Sequence, residues 1–137
     1  VHNMKGGCAA FIAAAEAAVD VMRKVRGVIL PFAGGIVRAG SKVAAKRYKK
    51  MIASTNDAYC PTLRGRSGVT SELPEGVNSV LEIVVDGLDR PVIERALRAG
   101  IDAACCPGVV EISAGNYGGK LGKHHFPLHA LFADASA

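Results

Sequence analysis

The sequence contains no tryptophan, and aromatic residues make up only 5% of its 137 positions. Half of the residues are nevertheless hydrophobic, so the core has to be aliphatic. No apolar run approaches the roughly 20 residues that cross a bilayer, and the opening "VHNMKGG" has no apolar stretch of signal-peptide type. The length of 137 residues fits a single domain over residues 1–137. Its ends, 1–8 and 133–137, are expected to fray.

Cysteine is also scarce, and its spacing matches no known metal or redox motif. The four residues are Cys8, Cys60, Cys105 and Cys106, which form neither a C-x-x-C pair nor a zinc pattern. Reduced thiols in a cytosolic protein are the simplest interpretation. A catalytic thiol would need a partner that lowers its pKa, and the sequence places no histidine beside Cys60. A buried structural thiol is the favoured interpretation for that residue.

Three of the four histidines lie close together near the C-terminus, at His124, His125 and His129. If this stretch is a strand, the adjacent pair points to opposite faces, so the three side chains do not readily share one ion. No metal site is predicted.

The net charge of +5 favours anionic partners. The only dense cationic run is "KVAAKRYKK", Lys42–Lys50. No nucleic-acid-binding motif accompanies it. An anionic small molecule, or a solvated helix face, is therefore favoured over DNA or RNA.

Periodicity predicts helices alternating with strands. Ala9–Arg26 has apolar residues at helical spacing and is ended by Gly27, and Asp89 and Pro91 mark the start of a second helix. About 25 residues before Gly76 have no clear periodicity. The other predicted elements are a broken strand (Val28–Gly40, interrupted by Pro31 and Gly34-Gly35), a short basic helix (41–50), and strands at Asn78–Gly87, Gly108–Gly115 and His124–Phe132.

These elements predict an α+β fold. Two helices on one face of a mostly antiparallel sheet form a ferredoxin-like sandwich, which repeats strand–helix–strand twice. The first strand is central in such a sheet. It has to come from "VHNMKGGC" and is expected to be short or missing.

Glu82 is the most informative charged residue of the predicted strands. It lies between Leu81 and Ile83, and Val80 and Val84 share its own face. If that face is covered, burial favours the protonated carboxyl and suits general acid–base work. The alternative is an outward-facing glutamate on a half-exposed strand.

Two loops are candidates for ligand contact. "GNYGGKLG", Gly115–Gly122, lacks the spacing of a phosphate-binding loop, so its glycines either turn backbone N–H groups toward an anion or a carbonyl, or simply make a flexible turn. Ala53–Arg66, "ASTNDAYCPTLRGR", is rich in turn formers, and loops this long and polar are usually functional or disordered.

Several motifs together resemble one known family: "AAEAAVDVM", "PFAGGIVRAGSKV", "ASTNDAYCPT", "ELPEGV", "SAGNYGGKLG" and "HHFPLHALF". They resemble the C-terminal (distal) lobe of formylmethanofuran:tetrahydromethanopterin formyltransferase, from about Ala14 to Phe132. "TLRGR" with "GNYGGKLGKHHF" is most similar to the formyltransferase subunit of the bacterial formyltransferase/hydrolase complex.

The resemblance implies a cytoplasmic enzyme of one-carbon metabolism and formaldehyde oxidation. It implies formyl transfer between the amine of methanofuran and N5 of tetrahydromethanopterin, through a tetrahedral intermediate. These two coenzymes are anionic substrates, and no metal or prosthetic group is implied. The family has two ferredoxin-like lobes and forms homotetramers, with active sites near subunit contacts.

The resemblance also assigns residues. Glu82, in "VLEIVV", matches the carboxylate proposed as the family's acid–base catalyst. "ASTNDAYCPT" becomes an ordered loop at the coenzyme site or at a subunit contact, and Arg64 and Arg66 belong to the basic surface that suits anionic coenzymes. The expected substrate-binding residues are Gly34, Gly35, Lys42, Ser54, Thr55, Asn56, Asp57 and Lys120.

The family's N-terminal lobe is not represented in the 137 residues. The expectation is a fragment or a truncated paralogue of the enzyme. The alternative function, from a different class, is a non-catalytic assembly or scaffold module that keeps only the oligomer contacts.

Overall fold

Two helices and two antiparallel sheets make up the fold in the computed structural model, which describes residues 2–6, 8–38, 57–114 and 123–136. The basic helix predicted over 41–50 lies outside these ranges, as do Lys42, Ser54, Thr55, Asn56 and Lys120. The elements are β1 (His2–Gly6), α1 (Cys8–Arg23), β2 (Val28–Ile29), β3 (Val37–Arg38), β4 (Ser79–Ile83), β5 (Asp86–Gly87), α2 (Arg90–Ala104) and β6 (Val109–Ala114), with short 3₁₀ turns at Ala33–Gly35, Asp57–Tyr59 and Pro61–Leu63 and a longer 3₁₀ segment at Leu128–Ser136.

The larger sheet has four strands in the order β3–β4–β1–β6, and every neighbouring pair is antiparallel. β2 and β5 form a separate two-stranded sheet. The mixed helix-and-sheet class and the antiparallel pairing predicted from the sequence are therefore confirmed.

The first strand, which was expected to be short or missing, is present. β1 is five residues long and pairs with β4 on one side and β6 on the other. Asn, Lys and Gly are weak strand formers, which hides the strand from pattern analysis, and pairing on both edges supplies what local preference lacks. Within the ends expected to fray, residues 2–6 form β1, Cys8 begins α1 and residues 133–136 belong to the last 3₁₀ segment.

The strand predicted to be broken, Val28–Gly40, is broken in the structure, and the strand predicted to be continuous, Asn78–Gly87, is divided as well. Val28–Gly40 contains β2 and β3, separated by the 3₁₀ turn at Ala33–Gly35. Asn78–Gly87 contains β4 and β5, so the chain leaves the large sheet after Ile83 and joins the small one.

The two helices form where the sequence predicts them. α1 ends at Arg23, three residues before the predicted end, and the chain then turns through Gly27 at φ +92°. The Asp89 carboxylate accepts a hydrogen bond from the Val92 N–H at 2.9 Å, which confirms it as the N-cap of α2. Within the described ranges, neither helix combines the length and apolar character that a membrane span requires.

α1 and α2 pack on each other and on one face of the large sheet. The shared core contains Phe11, Met22 and Ala96 from the helices and Ile83 from β4, all at most 1% exposed, with Ile112 of β6 packed against them. The helix layer therefore covers the face of the sheet that carries Ile83.

The strand predicted over His124–Phe132 was wrong. Leu128–Ser136 forms a 3₁₀ helix, and the Ala130 N–H bonds to the Pro127 carbonyl at 3.1 Å. Proline fixes φ near −65°, which suits the first turn of a helix and removes a strand hydrogen bond. The strand geometry assumed for the adjacent histidines is consequently absent.

Candidate functional site

Glu82 lies on the sheet face opposite the helices, which we call the outer face. Side chains alternate along a strand, and in β4 Ile83 and Leu81 pack toward the helices, whereas Val80 belongs to a separate cluster on the other side. Glu82 shares the parity of Val80 and is half-buried. The predicted division into two faces is confirmed for residues 80–83, where β4 ends.

The strand register places Glu82 in one row across the large sheet. Val37 of β3 pairs with Glu82, Glu82 pairs with Asn3, and Asn3 pairs with Ser113 of β6. Residues directly opposite each other in an antiparallel pair share a face. The Ser113 hydroxyl oxygen is buried without a hydrogen-bond partner in the described part of the chain. A carboxylate and a hydroxyl therefore belong to the same row, with β1 between them.

A segment formed by residues 57–77 packs against Val80 on the outer face, two positions before Glu82 in β4; we call it the cover segment. Val77 is fully buried and forms a small cluster with Val80, against which Tyr59 and Leu73 pack. The described part of the loop predicted to be ordered is therefore ordered, and its packing partner is on the strand that carries Glu82.

Hydrogen bonds connect the first half of the cover segment to its last residues. The Arg64 guanidinium donates to the Pro74 carbonyl at 3.1 Å and to the Val77 carbonyl at 3.0 Å. Cys60 is only 4% exposed, and its Sγ lies 3.2 Å from Thr62 Oγ1. The prediction of a buried packing thiol at Cys60 is confirmed.

Tyr59 and Glu72 form a second tie within the cover segment. The Tyr59 hydroxyl donates a hydrogen bond to the Glu72 carboxylate, and the Glu72 N–H donates to the Ala58 carbonyl at 2.9 Å. The bond to Glu72 raises the pKa of Tyr59 to about 12, with further contributions from burial and from the negative charges of Glu72 and Glu111. The phenol is thus a neutral donor at physiological pH. Glu111 of β6 belongs to the outer face because Lys5 pairs with both Val80 and Glu111.

We expect the Tyr59 bond to make stability fall in strong base. The folded-state pKa is raised above the unfolded value of 10.0, so the contribution is complete below pH 10 and is lost as the pH rises toward 12. Alkaline titration of phenolate absorbance should show one tyrosine that ionises late, and Tyr59→Phe should remove that step. A late step that persists in the variant would assign it to another tyrosine.

We expect Arg64→Met to loosen the cover segment. The substitution keeps much of the aliphatic stem but removes the guanidinium donor from both carbonyl oxygens. Because the Pro74 carbonyl still accepts from the Val77 N–H at 3.3 Å, the cost of about 1–3 kcal/mol arises mainly at the Val77 carbonyl. Limited proteolysis should cut within 57–77 faster in the variant. Arg66→Met, at an exposed position of the same segment, is the matched control and should leave the cleavage rate unchanged.

The glycine pair expected at the substrate site occupies the turn before β3. Gly34 and Gly35 have φ of +74° and +79°, a region that other residues rarely adopt. A Cβ on Gly35 would lie 2.9 Å from Val19 and 3.1 Å from Leu30, so helix packing requires that glycine. Gly34 is exposed with open space around it, which leaves its backbone accessible to a ligand.

Of the other residues predicted to bind substrate, the structure describes Asp57. Asp57 begins the cover segment and is half-buried. Lys42, Ser54, Thr55, Asn56 and Lys120 lie outside the described residues. In the parts of the chain that the structure describes, no three His, Cys, Asp or Glu side chains are grouped so that they could hold a metal ion.

Four residues of the outer face were not predicted as site residues. Tyr59 was part of a recognised motif, but its partner Glu72 is thirteen positions away in a stretch without periodicity. Glu111 and Ser113 reach the same face only through the pairing of β6 with β1. No local signal in the sequence identifies contacts of this kind.

These features define an α+β domain whose helices cover one face of an antiparallel sheet and whose other face carries a half-buried carboxylate beside an ordered segment. Residues 4–131 match the family model described as "FTR, proximal lobe". The chain therefore belongs to the formylmethanofuran:tetrahydromethanopterin formyltransferase family, as its motifs predicted. The expected lobe label, distal, was wrong, because the matching model describes the proximal lobe.

Curated and structural relatives agree with this assignment. The formylmethanofuran–tetrahydromethanopterin formyltransferase of Methylobacillus flagellatus is 56% identical over 126 residues, which cover 89% of this chain and 41% of the relative. The corresponding structure from Methanosarcina barkeri matches with a TM-score of 0.82 and 48% identity, covering 96% of this chain and 44% of that one. The formyltransferase/hydrolase complex from Methylorubrum extorquens, solved with methylofuran, matches with a TM-score of 0.80 and 47% identity, covering 95% and 43%. The chain thus spans about two fifths of the length of the relatives it matches.

Proposed function

We propose that this chain supplies the acid–base half of an N-formyltransferase site that moves a formyl group between methanofuran and N5 of tetrahydromethanopterin. Family membership and the activity for which the relatives are named support this. The observation that carries it is the position of Glu82, which is half-buried on the outer face of the strand whose Val80 packs against the cover segment.

The reaction needs one proton to be moved twice. N5 attacks the formyl carbon, and the new C–N bond forms as N5 gives up its proton. The tetrahedral intermediate collapses when the methanofuran nitrogen gains a proton and its C–N bond breaks. A single carboxylate can accept the first proton and donate it to the leaving nitrogen, and Glu82 is proposed for that role.

The oxyanion of the intermediate requires backbone or side-chain donors. The Gly35 N–H already donates to the Phe32 carbonyl at 2.8 Å, so Gly34 is the better donor of the glycine pair. Ser54, Thr55 and Asn56 are the alternative donors.

Substrate binding is proposed on basic and polar groups that the family resemblance assigns. Lys42 and Lys120 are suited to the carboxylates and phosphate of the coenzymes through charge-assisted hydrogen bonds. Gly35 and Asp57 complete the proposed set, Gly35 through the conformation of its turn and Asp57 as an acceptor at the start of the cover segment. No permanently bound cofactor is part of the proposal.

We also propose that the domain is a ferredoxin-like sandwich over residues 1–137. If β2 and β5 are set aside, the elements run strand–helix–strand twice, as that fold requires. The antiparallel order β3–β4–β1–β6 places the first strand at the centre, next to the third and the last of the four. The helix layer on the Ile83 face is consistent with the same arrangement.

Assembly is proposed to be a homotetramer or a subunit position in a formyltransferase/hydrolase complex. The similarity to a structure of such a complex supports the second possibility. Soluble one-carbon chemistry in the cytoplasm is the setting proposed for either form.

The proposal is tested by a formyl-transfer assay with formylmethanofuran and tetrahydromethanopterin. The assay should be run on the chain alone and on a chimera in which the chain replaces the matching part of the Methylobacillus flagellatus relative, whose 56% identity favours correct assembly. We expect activity in the chimera. A folded, assembled chimera without activity would favour the scaffold function instead.

A further inference from the structure

A basic cavity of about 300 Å³ lies on the solvent side of α2. Residues 125–132, which we call the C-terminal segment, pack against the helix there. The other side of α2 is buried against α1, with Ala96 and Gly100 in the contact. The cavity is therefore separated from the outer face by the helix layer and by the sheet. Its main lining residues are Arg90, Glu94, Arg95 and Arg98 from α2 and Phe126 and Leu131 from the segment.

Arg90 and Glu94 are already committed to structural contacts. Arg90 Nη1 lies 2.9 Å from Glu94 Oε1, Nη2 donates to the His125 carbonyl at 2.8 Å, and the guanidinium carbon lies 4.7 Å from the centre of the Phe126 ring. Arg90 thus holds the C-terminal segment on the helix, and Glu94 balances the charge of Arg90.

Arg95 and Arg98 keep unused hydrogen-bonding capacity. Arg98 lies over the Phe132 ring at 5.6 Å, and a guanidinium stacked on a ring keeps its in-plane N–H donors available. Arg95 is exposed, and within the described ranges neither arginine takes part in an ion pair. Residues three apart on a helix are surface neighbours, so both guanidinium groups can bind one anion.

We propose that Arg95 and Arg98 form a binding site for an organic phosphate. Three guanidinium groups and one carboxylate leave a formal charge of +2 in the cavity, which complements a phosphate monoester better than a monocarboxylate. Phe126 and Leu131 provide an apolar wall for the organic part of the ligand. The site is independent of the Glu82 chemistry.

The test is a titration of the full chain with phenyl phosphate, inorganic phosphate and benzoate, in which calorimetry or NMR measures the affinity for each compound. We expect phenyl phosphate to bind most tightly. Arg95→Gln with Arg98→Gln should weaken it about tenfold or more, since both charge-assisted contacts to the phosphate are lost. Arg98→Lys, which keeps the charge but loses the planar fork, should weaken binding several-fold.

The matched control removes the same charge elsewhere. Arg23 and Arg26 are exposed near the end of α1, and the double substitution Arg23→Gln with Arg26→Gln should leave the affinity within about twofold. Circular dichroism confirms that each variant is folded. The proposal is overturned if the control weakens binding as much as the Arg95 and Arg98 variant does, if that variant binds normally, if benzoate binds as well as phenyl phosphate, or if phenyl phosphate does not bind.

Discussion

Replacing Glu82 with glutamine is expected to lower kcat for formyl transfer by about 10²–10⁴-fold, the usual contribution of a positioned general acid–base. Glutamine has nearly the same shape and fits the same place on β4, but it cannot accept the proton of N5 or return it to the leaving nitrogen. Because binding contacts are largely kept, KM should change much less than kcat.

Two further variants separate chemistry from folding. Glu16→Gln removes a carboxylate that is exposed on α1. The formyl-transfer rate of this variant should stay within about twofold of the rate of the unsubstituted protein. Glu82→Asp keeps the carboxyl but withdraws it by one methylene, so an intermediate rate is expected. If Glu82→Gln and Glu16→Gln behave alike, Glu82 is a structural residue.

The second large effect is expected at the contact between the helices. A Cβ on Gly100 would lie 1.9 Å from Met22 Cε and 2.9 Å from Met22 Cγ, and Met22 is only 1% exposed. Gly100→Val therefore has to displace the buried Met22 side chain or move α2 away from α1. Overpacking of this kind costs about 1–3 kcal/mol, and we expect the upper end, visible as a melting temperature lowered by roughly 10 °C.

Two comparisons attribute this loss to the clash. Asp102→Val places the same β-branched side chain at an exposed position of α2 and should change stability by less than about 1 kcal/mol. Combining Gly100→Val with Met22→Ala should cost less than the two single changes added together, because the new methyl groups occupy the space that Met22 leaves. If the costs of the two single substitutions simply add in the double variant, the clash with Met22 is not the cause of the lost stability.

Much of the helical layer can be predicted because its signals are local. Asp89 and Pro91 mark the start of α2 in the sequence and do so in the structure. β1 carries no such signal, since "HNMKG" becomes a strand only between two neighbours. At the C-terminus, apolar spacing suggested a strand, but Pro127 begins a 3₁₀ turn and Arg90 holds the segment against α2.

The candidate site was predictable only in part for the same reason. Glu82 is recognisable from a strand pattern and a family motif, and its face follows from alternation. Tyr59 with Glu72, and Glu111 with Ser113, meet the outer face through folding of the cover segment and pairing of β6. Their positions depend on contacts between distant parts of the chain, which composition and periodicity do not encode.

The pH dependence of kcat/KM for formyl transfer, measured on the chimera with Glu82 and with Glu82→Gln, tests the central claim most directly. The account predicts an acid limb in the parent, where protonation of Glu82 removes the base that accepts the N5 proton, and a residual rate in the variant that lacks this limb. An acid limb that persists unchanged in Glu82→Gln, at a rate near that of the parent, would contradict it.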